Sequence, residues 1–116
     1  MFGSNPSGGA APANEVDATV TFSPTAAGAL TAASATLPAG ATGIPVSMKV
    51  VGSVGGYVTL GTTGQQTIAE VVAPNAPATT RPIPPAAFPG AVGSVQIGGY
   101  AFGAGSIAVA VRFRLK

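Results

Sequence analysis

The sequence predicts an all-β fold: an antiparallel β-sandwich or jelly-roll-like barrel of about seven or eight short strands. Three observations carry this. Apolar and polar residues alternate with a period of two, most plainly Ile107, Val109, Val111, Phe113 and Leu115 against Ala108, Ala110, Arg112 and Arg114, the pattern of a strand with one buried face. The chain holds 17 Gly and 11 Pro, many of them between such stretches, where they supply turns. No unit of about 20 to 50 residues recurs, which excludes a solenoid, and 116 residues leave room for one small core and not two.

Residues 1–14 are Gly, Ser, Ala, Pro and Asn around Phe2. Such a segment has too little apolar surface to offset the entropy of ordering it, so a flexible N-terminal arm is expected before a domain at 15–116. In 16–22, Val16, Ala18, Val20 and Phe22 point one way and Asp17, Thr19 and Thr21 the other, which predicts a strand; Ser23-Pro24-Thr25 ends it. Residues 29–37 fit either a strand of small residues or a short Ala-rich helix; their Ser and Thr lower helix propensity and favour the strand. The turn at 38–43 is then expected to return the chain into an antiparallel neighbour. Residues 46–54 alternate again, and Gly55-Gly56 reads as a hairpin turn into a strand at 57–60. A further turn at 61–66 and a short strand at 67–72, bearing Glu70, follow.

Between 73 and 90 stand six prolines. Proline donates no backbone hydrogen bond, so this stretch is expected to run over the surface as an extended loop, anchored by Arg81, Ile83 and Phe88. Residues 92–97 predict a strand, Gly98-Gly99 a break, and 100–102 a short continuation. The closing strand spans 106–115.

The chemistry is bounded by what is missing. The chain contains no His, Cys or Trp. It therefore lacks a thiolate nucleophile, a Ser-His pair, a zinc site of the usual kind and any side chain titrating near neutrality. Glu15 and Asp17 share a strand face, but a hard cation needs more oxygen donors, and they read as solubilising charges. Glu70 reads as isolated. The glycines at 52–56 and 61–64 lack the Gly-Lys-Ser/Thr continuation of a phosphate loop. Neither an enzyme nor a cofactor or metal is expected.

Charged residues are 7% of the chain, against about 25% in an ordinary soluble domain, and mean hydropathy is +0.49. Leu, Ile, Val and Phe total only 27 of 116 residues. A domain with so few charges and so modest a core is expected to finish its burial in an assembly. A net charge of +2 gives no reason to expect nucleic acid. Arg112, Arg114 and Lys116 form a small basic face, read as solvated or as a dock for an acidic partner surface. No targeting signal and no run of about 18 apolar residues is present, so neither an export route nor a membrane anchor is expected.

The all-β, Ala/Gly/Thr/Val-rich character, the arm and the Pro-rich excursion together resemble the small virion structural proteins of tailed bacteriophages, most of all head decoration (cement) proteins. Within residues 80–113, Arg81-Pro82, Val95-Gln96-Ile97-Gly98 and Ile107-Ala108-Val109 resemble the terminal β domains of phage fibre proteins. The first resemblance implies a mechanical role on the capsid exterior of the virion. Its partners would be the major capsid protein and copies of this chain, for example as a trimer. The interface candidates are then Phe2, Arg81, Ile83, Phe88, Arg112 and Arg114. The second implies a fibre or spike tip that binds a receptor or glycan through the Pro-rich loop and Tyr100-Ala101-Phe102.

Overall fold

The computed structural model describes residues 14–62 and 65–116. They carry eight strands: β1 (Glu15–Phe22), β2 (Gly28–Thr36), β3 (Gly43–Gly52), β4 (Gly56–Thr62), β5 (Gln65–Val72), β6 (Thr79–Pro82), β7 (Ser94–Ala101) and β8 (Ile107–Leu115). A 3-10 turn, Pro85–Ala87, lies between β6 and β7. The strands form two four-stranded sheets, ordered β1-β8-β3-β6 and β2-β7-β4-β5, and every strand pair is antiparallel. This is jelly-roll wiring. The first half of the chain pairs with the second as one long hairpin, β1 with β8, β2 with β7, β3 with β6 and β4 with β5, and the roll is closed by β3 on β8 and β4 on β7.

The core lies between the sheets. Ile107, Val109, Val111 and Phe113 of β8 are each 0% exposed, because β8 is an inner strand whose alternate residues all meet the opposite sheet. Val58 and Leu60 of β4, Val95, Ile97 and Ala101 of β7 and Met48 of β3 complete the centre. Each large aliphatic or aromatic side chain buried there contributes about 1.5–3 kcal/mol. The inward set of β1, with Val16, Ala18 and Val20, is only partly buried, as befits an edge strand.

The predicted strand phases of 16–22 and 106–115 agree with the burial of β1 and β8. Several expected connections do not hold. β2 does not turn back onto its successor; it pairs with β7, and β3 lies in the other sheet. Gly55-Gly56 is not a hairpin turn either, since β3 and β4 belong to opposite sheets. Here glycine serves close approach: a Cβ on Gly56 would stand 2.2 Å from the Tyr100 carbonyl oxygen. The tight hairpin is the next one along, β4 to β5, so the turn expected over 61–66 is shorter than expected.

Alternation in β3 is also not continuous. A bulge between Pro45 and Ser47 shifts the phase, so that Gly43 and Pro45 face inward before it and Met48 and Gly52 after it. Pro45 is tolerated in an inner strand because the ladder is already interrupted there. The break expected at Gly98-Gly99 is absent, and β7 runs through both with Val95, Ile97 and Ala101 buried. The irregularity falls on its neighbour, where the register of β2 shifts between Leu30 and Ala33. The Pro-rich segment is not wholly loop. It contributes β6 to the sheet edge, where Pro82 needs no second partner. Residues 1–13, Phe2 among them, lie outside the described residues; the Asn14 carbonyl accepts a hydrogen bond from the Leu115 N–H at 2.8 Å.

Candidate interaction surface

The outer faces of the two sheets differ in kind. On the β1-β8-β3-β6 sheet the alternation that buries Val111 and Phe113 turns Arg112 and Arg114 outward, directly across from Asp17 and Glu15 of β1. Arg112 donates from Nε to Asp17 Oδ1 at 2.8 Å and from Nη2 to Oδ2 at 3.2 Å. Arg114 Nε stands 4.0 Å from Glu15 Oε2. The Asp17 hydrogen bond is the main cause that holds the Arg112 guanidinium above its ordinary pKa, with the charges of Asp17 and Glu15 adding to it against a desolvation cost. The expected basic face is therefore a cross-strand ladder of paired charges, and the acids expected to be solubilising are its other half.

Beside the ladder, Asp17, Ser47, Lys49, Thr80, Ala110 and Arg112 line a polar depression of about 90 Å³. That is well below the roughly 300–1,000 Å³ of small-molecule sites. Among the described residues no three His, Cys, Asp or Glu side chains cluster as metal ligands do.

Glu70 is not isolated. It lies on β5, the edge of one sheet, and receives Arg81 Nη1 at 3.2 Å from β6, the edge of the other. Ile83 and Phe88 are 5% and 3% exposed; they anchor the Pro-rich segment to this chain's own core, which leaves Pro82, Pro84, Pro85 and Pro89 on its outward surface. Among the candidate residues, the structure brings Arg112 and Arg114 together on one face and sets Arg81 at the far edge.

The β2-β7-β4-β5 sheet carries a different face. Ala29, Tyr100, Tyr57 and Val71 stand in register across all four strands, and all four are exposed. Val71 is 77% exposed, and Phe102, just past the end of β7, 65%. The Tyr57 and Tyr100 rings stack with centroids 6.2 Å apart and planes 11° apart, and Phe102 packs on Tyr100 at 6.0 Å. Behind this row the outward positions are small or neutral: Gly98, Thr59 and Ala69, then Ser34 and Gln96. Among the described residues no Asp, Glu, Lys or Arg occupies this face. Tyr100 and Phe102 were legible in the sequence as recognition candidates; the row was not, because residues 29, 57, 71 and 100 meet only through strand order.

Gly99 sets the spacing of this row. Its φ is +140°, and a Cβ there would stand 2.1 Å from the Tyr57 carbonyl oxygen, so only glycine lets β4 and β7 approach closely enough to stack their tyrosines. No known protein family, curated protein or solved structure matches the chain.

Proposed function

We propose that this chain is a non-enzymatic structural protein of a virion, a decoration protein on the capsid exterior that bridges and stabilises subunits of the major capsid protein together with copies of itself. One observation carries the reading: an uncharged sheet face with a row of exposed tyrosine, phenylalanine and valine, in a chain with only 7% charged residues. Contiguous exposed apolar side chains are a feature of interaction sites. The face is assigned to contacts within the assembly, and the 1–14 arm and 73–90 loop to the capsid. A protein that binds only the assembled shell stabilises it by mass action.

The test is co-sedimentation of the purified chain with capsids of its source virus that lack it, followed by thermal disruption of the particles. Saturable binding and a raised disruption temperature are expected. No binding at any occupancy overturns the reading. Exposed rings such as Tyr57, Tyr100 and Phe102 also suit stacking on sugars, which favours a receptor- or glycan-binding tip as the second reading. Glycan-array binding that is lost in Tyr100→Ser would favour it over the first.

A further inference from the structure

We propose that the uncharged face of β2-β7-β4-β5 packs against the same face of a second copy, about a two-fold axis that runs across the strands in the plane between them. This rests on the reading of that face as an assembly surface and names its occupant.

Relief, charge and area each argue for a second copy. The face is a step. Tyr57, Tyr100 and Val71 stand proud at one end, and Gly98, Thr59 and Ala69 form a low shelf behind them. A two-fold axis across the strands reverses strand direction in the second copy. The proud row of each copy then descends on the shelf of the other, with Tyr57 and Tyr100 over the end that carries Ser34 and Gln96. Such self-complementarity is what an isologous contact requires.

Charge points the same way. With no Asp, Glu, Lys or Arg among the described residues of this face, two copies meet without repulsion, and nothing there would select a charged partner. The outer face of the other sheet keeps Glu15, Asp17, Lys49, Arg112 and Arg114. It stays in water on both sides of the pair and discourages a third copy from stacking. Four strands about 4.8 Å apart and about 26 Å long present roughly 500 Å², so two faces together reach roughly 1,000 Å², the lower bound for a specific contact.

The test uses the full chain. Light scattering after size exclusion should give twice the 11.1 kDa of one chain, and Val71→Lys, a change at an exposed position, should weaken the pair about tenfold or more while circular dichroism stays the same. The chain has no cysteine, so single-cysteine variants report geometry cleanly. Thr59→Cys, near the axis, should be joined to its copy by a short bis-maleimide linker. Thr19→Cys, on the charged sheet, should not. A monomeric or trimeric mass, or linking of Thr19→Cys in place of Thr59→Cys, overturns the pairing. Capsid co-sedimentation is scored separately, so either reading can fail while the other stands.

Discussion

Arg81 and Glu70 tie the two sheets together at one edge. Arg81 lies on β6 opposite the buried Met48, and Glu70 on β5 opposite the buried Val58. Both occupy inward-phase positions on edge strands and remain about one-third exposed. Their charged ends meet at 3.2 Å across the seam, and Arg81 also donates to the carbonyl of Ala69. A charged pair on two edges also blunts them against pairing with foreign strands.

The pair itself should contribute little, since both side chains are about one-third exposed and such pairs are worth about 0–1 kcal/mol. A double-mutant cycle of Arg81→Ala and Glu70→Ala in urea should give a coupling in that range. Arg81→Ala alone should cost more than Glu70→Ala, because it also removes the bond to Ala69.

Stability should be nearly flat from about pH 6 to 9, because the chain has no His or Cys, the side chains that change charge in that window. Arg112 is consistent with this. Its pKa is raised in the fold, so its contribution is fully present below the unfolded value and is lost only as pH rises through the folded one, far above the window. Melting temperatures across it should agree within roughly 2 °C, a shift worth less than 1 kcal/mol in a domain of this size.

Adjacent glycines should respond differently to alanine. At Gly99 the new Cβ would meet the Tyr57 carbonyl at 2.1 Å with φ at +140°, so a loss of about 3 kcal/mol or more is expected. At Gly98 the nearest atom is Thr59 Oγ1 at 3.5 Å, ordinary contact, and the change should stay within about 1 kcal/mol. Urea unfolding of the two variants checks the contrast.

Two phenylalanines should part in the same way. Phe88 is 3% exposed and Phe102 65%. Phe88→Ala should cost about 3–5 kcal/mol through the cavity it leaves, a large share of a total near 5–15 kcal/mol, and should open the 73–90 segment to protease. Phe102→Ala should shift stability by no more than about 0.5 kcal/mol and show its effect in self-association.

The strands themselves were written in the sequence, because the alternation of Val16, Ala18, Val20 and Phe22, or of Ile107 through Leu115, is a local signal that fixes which residues turn inward. Their partners were not. A strand offers two hydrogen-bonding edges made of backbone, alike whatever the sequence, so nothing near Gly55-Gly56 distinguishes a hairpin from a crossing between sheets. Only the roll of the whole chain, with β1 on β8 and β2 on β7, decided that. The same holds for the charges and the aromatics. Composition showed a charge-poor chain, but the pairing of Asp17 with Arg112 across 95 residues, and the gathering of Ala29, Tyr57, Val71 and Tyr100 into one row, came from long-range register, which packing sets and local sequence does not encode.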